Sequence, residues 1–542
     1  MSPIHLRSMA QLFLLYYLIP QVLSAPAFAA RAANPSVTLA SGVVVGTTIR
    51  LANQPQVTAE ANAYLGVPFA KSPPVRFSPP EAASPWSSPL RAQTIKPACI
   101  QQFSGSGTTQ ARVKQLFNNP LGPPPEESED CLYLNVYSPP DVVPTSKKAV
   151  MFWLYGGNLQ FGTGGLGFYD GSSLALSQDV VVVTINYRTN IFGFSNSPEI
   201  PFGSQNAGYL DQRFALKWVQ ENIAKFGGDP TRVQLFGESA GGESVKQLLA
   251  SPPKPLPFSS AILQSQNAVV TGNGLINYEQ VKLNFKCKDI ACLRSVPAPE
   301  IKAYIEEQSL GFPPVNGDGT AVSDVRASIT TRKWANVPAL LGSNLNEARV
   351  FLAVLGLNDG ATALDGLFNL FNITSSAVRD SIVATYAAKG ITNVVDVVDR
   401  IGTDLVFTCT TSSLANYLAL NGYTIYRYRY DGVFPTVSTF ANAGAYHTAE
   451  IPSVFGTYPL SNQFGTATQQ QIELSAFMQK TWADLAKNPG GGVGWPKVLS
   501  VGNELGVLGY RGSSGLTVRS KLESDYPCLI YAPIEDLLGL SY

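Results

Sequence analysis

Ser239 stands at the centre of Gly237-Glu238-Ser239-Ala240-Gly241, a G-x-S-x-G pattern suited to nucleophilic attack by an activated hydroxyl. The pentapeptide alone is a weak signal, and its flanks strengthen it. Residues 231–236, Thr-Arg-Val-Gln-Leu-Phe, read as a short buried strand, and residues 243–250 read as the start of a helix. A serine between such a strand and helix falls on a sharp turn, a nucleophile elbow, that pushes its Oγ out of the sheet. Glycines flank it because the turn leaves no room for side chains. A serine hydroxyl near neutral pH needs an adjacent base, most often imidazole. The chain has two histidines, His5 and His447, and His5 lies in a segment that reads as a removable signal. His447 is therefore the candidate base.

Two further parts are needed, an acid that orients the base and donors for an oxyanion. The acid is expected between serine and histidine in chain order. Glu347 follows a strand-like run, 337–341, within the short polar loop Gly342-Ser343-Asn344-Leu345-Asn346, and Asp431 directly follows another, 424–430. The residues by themselves leave both open. Asp318, in Val315-Asn316-Gly317-Asp318, reads as a turn residue. Oxyanion donors are preorganised backbone N–H groups. Ala240, after the nucleophile, supplies one. Tyr155-Gly156-Gly157-Asn158 follows a buried strand and supplies others, from Gly157 and Asn158, with glycines that let the backbone approach a substrate closely.

A mostly parallel sheet positions such groups. Residues 150–155 and 180–185 are apolar runs that read as strands buried on both faces. Between the second of them and the elbow, Leu210, Phe214, Trp218, Ile223 and Phe226 form one apolar helix face, stopped by Gly227-Gly228. Runs at 260–264, 337–341 and 424–430 continue the strand series. This alternation predicts an α/β fold. Ligands then bind beyond the carboxyl ends of the strands, where Ser239 stands. No internal repeat or linker divides the chain, and the Pro-rich stretches 72–80, 120–125 and 252–257 read as surface loops.

Composition narrows the partners. The 542 residues carry zero net charge, and 14% are charged, against about 25% in an ordinary domain. With no basic stripe, neither nucleic-acid binding nor an electrostatic membrane tether is expected. Arg7, the apolar run 12–19 and the small residues 25–30 read as a signal peptide over residues 1–29, cut after Ala27 or Ala29. That run is too short to span a bilayer, so a secreted protein without a stable membrane anchor is expected. Cys99, Cys131, Cys287, Cys292, Cys409 and Cys528 suggest a full disulfide set in an exported chain. Sequence alone does not choose their connectivity, although nearest-neighbour pairing is the simplest. There is no C-x-x-C, and the single remaining histidine cannot complete a zinc site of the usual Cys/His type. Asn372-Ile373-Thr374 is the only glycosylation sequon, which predicts a glycan on Asn372.

These residues resemble the type-B carboxylesterase/lipase family, which includes cholinesterases, secreted fungal-type lipases and the catalytically inactive neuroligins. The resemblance runs from about Ser36 to near the C-terminus, and the chain looks like a secreted fungal-type member. Its blocks are Tyr64-Leu65-Gly66-Val67-Pro68-Phe69-Ala70, Glu129-Asp130-Cys131-Leu132-Tyr133-Leu134-Asn135-Val136, Asn206-Ala207-Gly208 with Leu210-Asp211-Gln212-Arg213, and Phe236 through Gly242. Gly342-Ser343-Asn344 leading to Glu347 resembles the block of the triad acid, and His447 with Glu450-Ile451-Pro452 and Val454-Phe455-Gly456 resembles that of the triad histidine.

The resemblance implies an α/β-hydrolase fold, a large mostly parallel central sheet with helices on both faces, as one domain over 30–542. It implies a Ser239–Glu347–His447 triad acting on small-molecule carboxylic esters without a cofactor, and it favours Glu347 over Asp431. It also implies the pairs Cys99–Cys131, Cys287–Cys292 and Cys409–Cys528, and a helper role for Ser265. Two departures stand out. The third glycine of the family's oxyanion loop is Asn158 here, and the 99–131 loop holds Phe103 and Phe117 but not the tryptophan that cholinesterases carry there. A cation–π site for quaternary ammonium is therefore not expected in that loop. A true lipase, with a lid helix around Ala111, Val113, Leu116 and Phe117, is the alternative. A non-catalytic neuroligin-like module is disfavoured because serine, acid and base are all retained.

Overall fold

Largely apolar runs without in-out alternation of burial form the centre of the sheet, as parallel strands covered on both faces require. Every residue of Val181–Ile185 is buried, and so is every residue of Ser260–Gln264 and Ala339–Asn344. The computed structural model of the chain describes residues 34–51, 57–105, 107–267, 270–357, 362–461, 463–500 and 503–538. The expected signal peptide, with His5, lies outside the described residues.

Fourteen strands are described, in chain order β1 Ser36–Leu39, β2 Gly42–Val45, β3 Thr47–Arg50, β4 Glu60–Pro68, β5 Leu90–Arg91, β6 Tyr133–Ser138, β7 Lys148–Leu154, β8 Val181–Ile185, β9 Gly228–Glu238, β10 Ser260–Gln264, β11 Ala339–Asn344, β12 Ile425–Tyr430, β13 Leu505–Leu508 and β14 Leu516–Arg519. Three make a small sheet, β1-β2-β5. The other eleven make one sheet in the order β3-β4-β6-β8-β7-β9-β10-β11-β12-β13-β14. From β8 to β13 all neighbours are parallel. The pairings toward both edges are antiparallel. The carboxyl ends of β7, β9, β11 and β12 lead into the segments that carry Gly157, Ser239, Glu347 and His447.

Helix Ala240–Ala250 packs on β7, β9 and β10, and helix Gln469–Lys487 packs on β7, β9 and β10 as well. The expected helix before the elbow spans Ala207–Asn222 and tightens into a 3-10 turn at Ile223–Phe226, closed by Gly227 at φ 84°. Its buried face differs from the expected one. Leu210 and Phe214 are only half-buried, whereas Asp211 and Gln212 are buried. The reason is pairing: Asp211 receives the Arg188 N–H (3.0 Å), Nε (2.8 Å) and Nη2 (2.7 Å), and Gln212 donates to Ser244 Oγ (3.0 Å). A buried charge is tolerated when it is paired and hydrogen-bonded in this way.

A second apolar cluster lies beyond β11, where helices Ala348–Leu355, Ala363–Leu370, Ser376–Ala387 and Val394–Thr403 meet. The last of these runs through a π turn, Asp404–Thr408, into helix Cys409–Leu420. Disulfides join Cys99 to Cys131, Cys287 to Cys292 and Cys409 to Cys528. The first closes the loop containing helix Gly107–Phe117. Among the described residues no helix is long and apolar enough to cross a membrane.

Candidate active site

The elbow is built by steric necessity. Ser239 has φ 56° and ψ −125° between β9 and helix Ala240–Ala250, a conformation rare for a residue with a side chain. A Cβ on Gly237 would lie 2.6 Å from the Gly241 carbonyl group. The turn is pinned on both sides. Ser239 N–H donates to Gln264 O at the end of β10 (2.9 Å), and Ser239 O accepts from Glu243 N–H (2.9 Å) and Asn267 N–H (3.3 Å). Ser239 is partly exposed while Glu238 and Ala240 beside it are buried.

Glu347 and His447 meet one hundred residues apart in sequence: His447 Nδ1 lies 2.6 Å from Glu347 Oε2. The other carboxylate oxygen of Glu347 accepts from Asn344 N–H (2.6 Å) and from Ser265 Oγ–H (2.5 Å). Ser265 is thus a direct partner of the acid. Asp431 has a different partner, since Arg429 forks onto its two oxygens at 2.7 Å each. Asp318 accepts from Thr320 N–H, Thr320 Oγ–H and Ala321 N–H, which makes it a turn residue.

The other imidazole nitrogen, Nε2, faces the elbow, 3.1 Å from Glu238 Oε1. The rings of Phe351 and Phe407 stand 5.1 and 4.8 Å from the imidazole and hold it in an apolar wall. A third carboxyl, Glu450, accepts from Gln264 Nε2 (2.9 Å) and Asn344 Nδ2 (2.7 Å). Burial pushes the Glu238 carboxyl well above the usual carboxylate range and also raises Glu450. Burial alone would lower the His447 pKa, but the carboxylates of Glu238 and Glu347 outweigh it and raise the imidazole above its ordinary value of 6.5.

This fixes the sign of a pH effect. A general base works when neutral, and a raised pKa keeps His447 protonated to a higher pH. The kcat/KM profile is expected to fall in acid with its midpoint above 6.5. Glu238→Gln, which removes one carboxylate, is expected to move that midpoint down. Profiles of both proteins check this, and a rate that stays flat through the weakly acid range contradicts it.

The loop after β7 touches the elbow. A Cβ on Gly156 would lie 2.8 Å from Glu238 O and 2.9 Å from Ser239 Cβ. Gly157 (φ 110°) and Asn158 (φ 54°) turn the chain there, and both are half-buried. Ala240 opens the helix after Ser239 and is fully buried. In the 99–131 loop, Phe103 stacks on Phe161 at 4.9 Å, while the ammonium groups of Lys114 and Lys302 lie over Phe103 at 5.8 and 5.6 Å. A small cavity of about 60 Å³ opens between Leu116 and Phe117, at the end of the loop's helix, and Tyr446 and Thr448 on either side of His447.

Reading the sequence missed the roles of Glu238, Phe351 and Phe407. Glu238 had a visible signal, a lone charge closing the uncharged run Val233 to Gly237. Phe407 had none, because it approaches from a distant π turn.

An elbow serine at the end of β9 on a mostly parallel sheet, with a glutamate and a histidine on the segments after β11 and β12, two and three strands along, defines an α/β-hydrolase. The model of the carboxylesterase family matches residues 33–509. The chain belongs to that family and is a carboxylic ester hydrolase by class. It is 34% identical to carboxylesterase 1E of Mus musculus over 86% of this chain and 89% of that protein. It is likewise 34% identical to liver carboxylesterase of Sus scrofa, over 88% and 90% of the two chains. It is 32% identical to acetylcholinesterase 1 of Caenorhabditis elegans, over 81% and 79%.

Proposed function

We propose that the protein is a secreted serine carboxylesterase working through an acyl-enzyme on Ser239. The observation that carries this reading is the 2.6 Å contact of His447 Nδ1 with Glu347, whose opposite ring nitrogen faces the elbow. Ser239 Oγ attacks the ester carbonyl carbon as its proton passes to His447 Nε2. Glu347 holds the imidazole in the required tautomer and stabilises the imidazolium. The N–H groups of Gly157, Asn158 and Ala240 receive the oxyanion. His447 then returns the proton to the leaving alcohol, the ester C–O bond breaks, and Ser239 remains acylated. Water, deprotonated by His447, attacks the acyl-enzyme and releases the acid and Ser239.

Asn158 puts a side chain where the family's loop has a third glycine, either narrowing the acyl or alcohol pocket or adding a hydrogen bond to the substrate. The disulfides and the signal-like N-terminus support secretion, and the exposed position of Asn372 supports its glycosylation.

A lipase is the second reading, favoured by one observation. Helix Gly107–Phe117, inside the loop closed by Cys99–Cys131, has no fully buried residue. Initial rates on esters graded by acyl length separate the two. Turnover of short soluble esters with no jump at the solubility limit is expected. A sharp rise on long-chain esters above that limit gives the site to the lipase.

A further inference from the structure

The loop that carries Gly157 and Asn158 is held from outside by the segment after β8. At its start, Tyr155 and Tyr187 exchange hydrogen bonds: Tyr155 Oη donates to Tyr187 O, and Tyr187 Oη donates to Tyr155 O, each at 2.7 Å. Their rings stack at 4.2 Å. Three residues on, Asn190 reaches the middle of the loop. Its N–H donates to Leu159 O (2.7 Å), and its Nδ2 donates both to Gln160 O (3.1 Å) and to Ile100 O (2.8 Å), next to Cys99. Asn190 is 1% exposed and has φ 47°, a left-handed conformation that asparagine tolerates. The tie continues to the oxyanion position, because Gly157 O accepts from Gln160 N–H (2.9 Å) and Phe161 N–H (3.1 Å). Two residues before Asn190, Arg188 is fixed on the buried Asp211.

We propose that Asn190 is a positioning residue for the oxyanion hole: its amide ties Gln160 of the oxyanion loop to Ile100 of the disulfide-closed loop, and so fixes the direction of the Gly157 and Asn158 N–H groups. The inference rests on the reading of Ser239 as the nucleophile and of these N–H groups as its oxyanion donors. Such donors act because they are aligned before the reaction, and a shift of about 1 Å costs up to ~100-fold in rate. Asn190 reaches no reacting atom, so its whole effect passes through the loop backbone.

The test variant is Asn190→Gly, since glycine keeps the left-handed backbone without strain and removes only the amide. It is expected to lower kcat/KM about 10- to 100-fold, chiefly in kcat. The affinity for an aryl trifluoromethyl ketone is the discriminating readout. Ser239 Oγ adds to that ketone, its proton goes to His447, and the hemiketal oxyanion sits where the reaction's oxyanion would. Its Ki is expected to rise by the same factor as kcat/KM falls, while the acid-limb midpoint of the pH profile stays in place. A merely structural role would lower the unfolding temperature and leave the ratio of the two effects unmatched.

Tyr187→Phe, which keeps the ring stack and removes the bond to Tyr155 O, is expected to show the same matched pattern and decides the matter alone where Asn190→Gly does not fold. Values of kcat/KM within about twofold of the parent in the folded variants, or a loss with unchanged ketone affinity, overturn the proposal. Ser239→Ala separates the two levels. If it is inert while Asn190→Gly is normal, only the positioning role fails, and if it turns over esters normally, the reading of the site fails.

Discussion

Ser239→Ala is expected to lower kcat by ~10⁴-fold or more, with ester binding little changed. Alanine removes the oxygen that forms the acyl bond and leaves the elbow otherwise in place, because the bonds that pin the turn are backbone bonds from Ser239 N–H to Gln264 O and from Glu243 N–H to Ser239 O. His447→Ala is expected to cost a similar factor, since the serine and its base act as one unit and their losses do not add. The residual rate in either variant comes from the oxyanion donors and substrate binding alone. Steady-state kinetics on a soluble ester, with the variants' folding verified by circular dichroism, measure this. Near-normal turnover in either variant removes the triad from the account.

Glu347→Gln is expected to lower kcat by ~10⁴-fold, and Asp431→Asn to leave it within a few-fold of the parent. The two acids were rivals on sequence grounds, and their neighbours separate them. Glu347 receives His447 Nδ1–H on one oxygen and Asn344 N–H and Ser265 Oγ–H on the other. A glutamine amide keeps the shape but presents no charge to the imidazolium and disturbs the tautomer that leaves Nε2 free to accept a proton. Asp431 is held by Arg429, and its loss exposes that arginine rather than the base. Comparing both variants with the parent at several pH values checks the assignment. Equal losses in the two variants contradict it.

The parts of this site governed by local sterics were legible in the sequence. The elbow requires glycines at fixed offsets between a strand and a helix, and Gly237 and Gly241 supply them within five residues. The near-absence of histidine named His447 by elimination. The acid was harder to read, although one clue was present. Arg429 and Asp431 are two apart at the end of β12, so they share a face of the strand and pair. The helix before the elbow was expected to bury Leu210 and Phe214, which are half-buried, and the burial of Asp211 was not legible because only the distant Arg188 makes it favourable. Glu238, Glu450, Phe407 and Asn190 act through contacts between segments tens to hundreds of residues apart, and periodicity carries no information about such meetings.

The most direct measurement is labelling with a fluorophosphonate probe, followed by peptide mapping. Attack by Ser239 Oγ displaces fluoride from phosphorus and leaves a stable phosphonyl-serine. The account predicts one label per chain, on the peptide containing Gly237-Glu238-Ser239-Ala240-Gly241, with loss of esterase activity in step with labelling. Full inhibition with the label on another residue, or sustained ester hydrolysis by protein fully labelled at Ser239, would contradict it.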